Sequence, residues 1–148
     1  MDPTIPDRLK NLPSWLLTQT GHHAHRLVTE GLSEAGARAY HYRLLAALEE
    51  AGPSSQATLG RLSSIHLSDL VSTINELAES DLVRREPDPA DRRRNVITIT
   101  PAGRRRLKAL DKQIARIQDN LLAPLSGDER AQLTGLLARV LHHHGQHA

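Results

Sequence analysis

A chain of 148 residues, 39% of them hydrophobic, is long enough to bury the core of one ordinary domain. It has no cysteine, which excludes disulfides, thiolate zinc sites and redox-sensing thiols. Its net charge of +2 hides a segregation: residues 82–106 carry eight basic and three acidic side chains, whereas residues 51–81 carry one and four. The positive field is thus focused on one segment, as contact with a polyanion requires.

In chain order, Leu12 to about Leu32 forms a first predicted helix. Trp15, Leu16, Ala24, Leu27 and Val28 supply its apolar faces, and Gly31 and Gly36 bracket its end. A second helix runs from about Arg38 to Glu50 with Leu44, Leu45, Ala47 and Leu48 inward, stopped by Ala51-Gly52-Pro53. Ser54 or Ser55 caps a third helix, whose Ala57, Leu59 and Leu62 point inward. After the turn Ser64-Ile65-His66-Leu67, a fourth helix runs from about Ser68 to Glu79 with Leu70, Val71, Ile74 and Leu77 as core. Its other face carries Ser68, Asp69, Ser72, Thr73 and Asn75, candidate readers of a major groove.

A β-hairpin follows. Leu82 to Glu86 is the outgoing strand, Pro87-Asp88-Pro89-Ala90 supplies turn chemistry, and the β-branched run Val96 to Thr100 returns. Arg92, Arg93 and Arg94 stand at its tip beside Asp91. Helix–turn–helix followed by a basic hairpin is a winged helix, so double-stranded DNA is the expected partner.

After the hairpin, Leu107, Leu110, Ile114, Ile117 and Leu121 recur at three- and four-residue steps, a seam that needs a partner helix. Pro124 to Gly127 breaks this fifth helix. Asp128 opens a sixth with Leu133, Leu136, Leu137, Val140 and Leu141. The stripes of the first, fifth and sixth helices exceed what a small winged helix can cover and predict a homodimer; an intramolecular bundle is the alternative. The fold class is mainly α, an α+β winged helix of six helices and a two-stranded wing, dimerised through its N- and C-terminal helices.

The pattern Asp91-x-Arg93 followed by Ile99-Thr100-Pro101-x-Gly103 resembles the wing signature of the MarR family of transcriptional regulators, with Ile99 where that family usually has leucine. Gly60-Arg61-Leu62, Leu70-Val71, Leu77, Asp81 to Arg85 and the upstream His41 to Leu48 fall in the same register. The resemblance runs from about Leu12 to about Leu141 and is strongest from Tyr40 to Gly103. It implies a ligand-responsive regulator, a repressor, binding a pseudo-palindromic operator as a homodimer. Residues 1–148 would form one domain, with a winged helix-turn-helix over 38–105 and dimerisation helices over 12–37 and 106–148. The implied DNA contacts are Ser55, Gln56, Ser68, Asp69, Ser72, Thr73, Asn75, Asp91, Arg92, Arg93 and Arg94, with Arg93 entering the minor groove. Where many members carry an arginine in the recognition helix, this chain has Ser72 and Thr73, and Asp69 and Glu76 make the region acidic. Asp69 either accepts from a cytosine amino group or sits with the positive helix N-terminus.

The family's ligand pocket lies between the first, second and fifth helices. The resemblance therefore draws attention to Trp15, His22, His25, Arg38, Tyr40, His41 and Tyr42, a lining suited to an aromatic or other small carboxylic acid. The other reading of these histidines is polar filler at an interface or surface, and Arg43 is an alternative structural ion-pair residue. A helical tail would place His143 and His147 one turn apart, as a zinc pair would be. The reading taken is a terminus without metal, and no cofactor is expected. No His-Glu-x-x-His, partnered nucleophile or glycine-rich phosphate loop points to an enzyme. A metal-sensing regulator and an effector-independent architectural DNA binder are the alternatives. The chain opens without a leader pattern and holds no apolar run of membrane-spanning length, so a cytoplasmic protein is expected.

Overall fold

The computed structural model describes residues 4–145. Its elements are α1 (Asp7–Lys10), α2 (Pro13–Glu34), α3 (Ala39–Ala51), β1 (Ser54–Ser55), α4 (Gln56–Ser63), α5 (Leu67–Glu79), β2 (Val83–Pro87), β3 (Asn95–Ile99), α6 (Pro101–Leu121) and α7 (Gly127–Gly145). The mainly α winged-helix class is seen, with two additions: the one-turn α1, and β1 as a third strand. The sheet order is β1-β3-β2, both pairings antiparallel, with Val83 opposite Ile99 and Ser54 opposite Ile97. A two-residue strand has no period to display in sequence.

Local chemistry sets the boundaries. Pro13 opens α2, where its missing N–H costs nothing. Gly36 and Gly52 turn the chain out of α2 and α3 at φ +72° and +76°. Ser55 caps α4 by accepting from the Thr58 amide at 3.2 Å. Thr100 joins the wing to α6: its hydroxyl accepts from the Gly103 amide at 3.0 Å and donates to the Asp81 carbonyl at 2.7 Å.

Leucines from α2, α3, α4 and α5, together with Val83 and Ile97 of the sheet, close one core. Leu107, Leu110 and Ile117 of α6 are buried in that same core, so the seam of α6 is covered within the chain by α2 and α3. This corrects its assignment to a partner subunit. Polar stitches reinforce the packing: Gln113 donates to the Gly31 carbonyl at 3.0 Å, Arg104 pairs with Glu49 at 3.1 Å, and Arg106 donates to the Ala35 carbonyl. Three further inward assignments are overturned, since Leu62 is 54% and Val71 38% exposed and Ala57 is exposed as well.

The Tyr42 hydroxyl donates to Asp111 of α6 at 2.7 Å. Burial and the neighbouring Asp111 carboxylate push the phenol up to about 12. The folded state therefore keeps a proton that the unfolded chain releases near pH 10, so stability is full below pH 10 and falls as pH rises towards about 12. In Tyr42→Phe this alkaline loss should shrink. Denaturant midpoints measured between neutral and alkaline pH check it, and identical alkaline slopes would show that the phenol contributes none of the loss.

In α7 no side chain is buried, and Leu136, Leu137, Val140 and Leu141 are exposed, as are Leu12, Leu16 and Leu17. Leu17, Leu137, Val140, Leu141 and His144 together line one open apolar hollow.

Candidate nucleic-acid interface and the adjoining cavity

Helix α5 buries Leu70, Thr73, Ile74 and Leu77 as one stripe and exposes Ser68, Asp69, Ser72 and Asn75 on the opposite side. Thr73 is fully buried, and its hydroxyl donates to the Asp69 carbonyl at 2.7 Å. It is therefore part of the core and not of the reading face, contrary to its assignment from sequence. Leu67 and Val71 stand exposed on this helix instead. Asp69 lies in the first turn of α5, where a carboxylate suits the positive helix end. At the start of α4, Ser55 is occupied as the cap and Gln56 is half-buried.

The wing tip is held by its own backbone: Asp88 N–H donates to the Arg94 carbonyl at 2.8 Å, and Arg94 N–H to the Asp91 carbonyl at 2.9 Å. Asp91 is the organiser. Its Oδ1 accepts from the Arg93 amide at 3.1 Å and from Arg93 Nε at 3.2 Å, while Arg93 Nη2 reaches Oδ2 at 3.4 Å. These bonds hold the Asp91 carboxyl below the usual carboxylate range. The Asp91 side chain is only 31% exposed, whereas that of Arg93 is 90% exposed. Arg94 stands 3.8 Å from Asp91, and Arg92 is exposed. The tip thus presents three guanidiniums outward, one of them aligned by a carboxylate.

Two arginines outside the wing tip also shape this surface. Arg85 of β2 donates to Asn75 Oδ1, tying the wing's outgoing strand to the reading face of α5. Arg43 donates from Nε to the Ser63 carbonyl at 2.8 Å and from Nη2 to the Ser64 carbonyl at 2.7 Å, so it holds the turn between α4 and α5. Its partners are backbone carbonyls, not the acidic side chain of an ion pair. Neither contact has a sequence signature.

Behind α5 lies a cavity of about 260 Å³ lined by Gly36, His41, Leu45, Glu76, Leu77, Ser80, Leu82, Arg106 and Leu110. Of the seven residues singled out for an effector, His41 lines it and Arg38 adjoins it. Both bond Glu76 Oε2, Arg38 from Nη2 and His41 from Nε2, each at 2.6 Å. His41 Nδ1 accepts from the Arg38 backbone N–H at 3.1 Å. With that nitrogen acting as acceptor, the Nε2–H donates, and a neutral ring satisfies both bonds. The Glu76 carboxyl is lowered from its ordinary value, chiefly by the His41 hydrogen bond and then by the Arg38 charge. The remaining five lie elsewhere. Tyr40 stacks against the Arg43 guanidinium, Tyr42 points to Asp111, and Trp15, His22 and His25 of α2 are absent from the lining. Glu76 and Arg106 are the charged cavity residues that sequence reasoning missed; both come from helices assigned to other tasks.

Among the described residues no group of three or more His, Asp or Glu is arranged to hold a metal ion. The His143–His147 pair cannot be placed, because His147 lies outside the described residues. No helix among them is long and apolar enough to cross a membrane.

A helix-turn-helix with an arginine-tipped wing defines a winged-helix DNA-binding protein. Residues 30–94 match the MarR family. The chain is 30% identical over 97 residues to the HTH-type transcriptional repressor NicR of Pseudomonas putida, covering 66% of this chain and 61% of NicR. The chain spans about half to two-thirds of the length of the curated relatives it matches. The crystal structure of a probable transcriptional regulator from Pseudomonas aeruginosa superposes with a TM-score of 0.78 at 33% identity, covering 90% of this chain and 99% of that one. PcaV of Streptomyces coelicolor, solved in complex with its natural ligand, superposes at 0.73 and 27% identity over 95% of this chain and 97% of its own. The chain belongs to the MarR family of transcriptional regulators.

Proposed function

We propose that this regulator is a ligand-responsive repressor, binding a pseudo-palindromic operator in the cytoplasm as a homodimer. The observation that carries the reading is that Arg85 ties the exposed polar face of α5, through Asn75, to the strand leading to the three wing arginines, while the other side of α5 lines the cavity. Residues 38–105 act as the reading head, α5 in the major groove and Arg93 in the adjacent minor groove. Ser68, Asp69, Ser72 and Asn75 face base edges, while Arg92 and Arg94 meet phosphates, which position without specifying.

Residues 12–37 and 106–148 pair two copies. The exposed leucines of α7 and of the start of α2 form an apolar surface that water disfavours and a second copy would cover. The effector is a small carboxylic acid with an aromatic or otherwise apolar body. Leu45, Leu77 and Leu110 offer apolar walls, and Arg106, His41 and the adjoining Arg38 offer donors. A ligand-bound relative of this fold supports an effector at all.

The reading is tested by mapping bound sites across the genome and sedimenting the protein. Sites should share an inverted repeat with half-site centres about one helical turn apart or slightly more, and the protein should sediment as a dimer at micromolar concentration. Leu137→Glu, which places a charge in the α7 hollow, should sediment as a monomer. A monomeric wild type, or binding without an inverted repeat, removes the two-headed reading.

A further inference from the structure

The cavity already holds an anion, and that anion belongs to the recognition helix. Glu76 sits in the last turns of α5 and lines the cavity, yet its carboxylate is bound by two donors anchored at the start of α3. Both reach a single oxygen, Oε2, at hydrogen-bonding distance, and the His41 ring is oriented for this by the Arg38 amide. A carboxylate here is recognised as an acidic ligand would be, by a guanidinium and an imidazole N–H. The same bonds tie the end of α5 to the start of α3 and neutralise an acidic group on the helix that faces DNA.

We propose that Glu76 is a resident counter-anion and that acidic effectors act by exchanging with it. The proposal rests on the reading of this cavity as the effector site. A ligand carboxylate that takes Arg38 and His41 leaves Glu76 without its donors. The C-terminal half of α5 is then untied from α3, and an unpaired negative charge appears on the reading head beside a phosphate backbone. Both effects weaken DNA binding. The differential affinity that regulation requires is built in, because ligand and closed latch compete for the same two side chains. By reciprocity, operator DNA must weaken ligand binding by the same factor.

Salicylate is a suitable probe, read by calorimetry for its own binding and by fluorescence anisotropy for operator affinity. In the wild type, saturating salicylate should weaken operator binding by about tenfold. Glu76→Gln removes the competing charge at nearly constant size, and its side chain is 42% exposed, so the fold should tolerate it. This variant should bind salicylate about tenfold more tightly, while salicylate then weakens its operator binding less than about twofold. Arg38→Gln should lose most salicylate binding, and circular dichroism checks that both variants are folded. If Glu76→Gln binds and responds to salicylate as the wild type does, the exchange is overturned although the cavity reading stands. If calorimetry shows no salicylate binding to either protein, the cavity reading fails, and the exchange with it.

Discussion

Gly103→Ala is expected to cost on the order of 3 kcal/mol or more of folding stability, a large part of the roughly 5–15 kcal/mol that a domain has. A Cβ at this position would stand 2.1 Å from the Leu82 carbonyl oxygen and 2.7 Å from Ile99 Cγ1. The carbonyl is not free to retreat. The Leu82 carbonyl accepts from the Thr100 amide at 3.1 Å, and Thr100 is held by both Gly103 and Asp81. Gly31 provides the control. Its added Cβ would meet Ile117 Cδ1 at 2.5 Å and Cγ1 at 2.6 Å, a buried side chain that must repack, but no backbone atom. Gly31→Ala should therefore cost less, about 1–2 kcal/mol. Thermal unfolding of the two variants checks the order, and a Gly103→Ala protein at least as stable as Gly31→Ala would show slack where α6 leaves the wing.

Arg93→Ala should be the most damaging single change to operator affinity, at about 1–3 kcal/mol for each reading head. Two heads would double this, to roughly 2–6 kcal/mol. The guanidinium is exposed and already aligned by Asp91, so little side-chain freedom remains to be lost on binding. In a narrow A·T-rich minor groove such a cation gains most. Arg92→Ala should behave differently, weakening all sequences about equally and lowering the salt slope by about one for each reading head. Operator titrations at several salt concentrations, on sequences with A·T-rich and G·C-rich wing sites, separate the two. If Arg93→Ala keeps both its affinity and its preference between those sites, the wing does not enter the groove.

The wing was legible in the sequence because its evidence is local: turn residues, a β-branched strand and a charge cluster fall within twenty residues. The helices were legible from their periods, though the faces were read less well. Counting apolar letters in α5 gave Leu70, Val71, Ile74 and Leu77, whereas the buried set is Leu70, Thr73, Ile74 and Leu77. The geometric stripe at steps of three and four includes Thr73, whose hydroxyl is satisfied by the backbone one turn earlier, and leaves out Val71. The seam of α6 was visible, but not which helix covers it, since the period of a stripe says nothing about its partner. The cavity was the least legible part. His41 and Glu76 are 35 positions apart and Arg106 is on a third helix, so only the folded chain brings them together. His22 and His25, clustered in sequence, are exposed on α2 and take no part in the lining.

Helix α6 is 21 residues long, which at 1.5 Å per residue makes a rod of about 30 Å. Its first turn is clamped to the base of the wing through Thr100 and the close approach at Gly103, Arg106 and Leu110 face the cavity, and its far end leads into the apolar α7. A rod so attached is a lever. Pivoted near its far end, a tilt of about 6° carries the wing end through about 3 Å, nearly the 3.4 Å or so that separates successive nucleotides along a strand. A small angular change, taken up by repacking of Leu107 and Leu110, is therefore enough to move Arg93 by nearly one step of the groove.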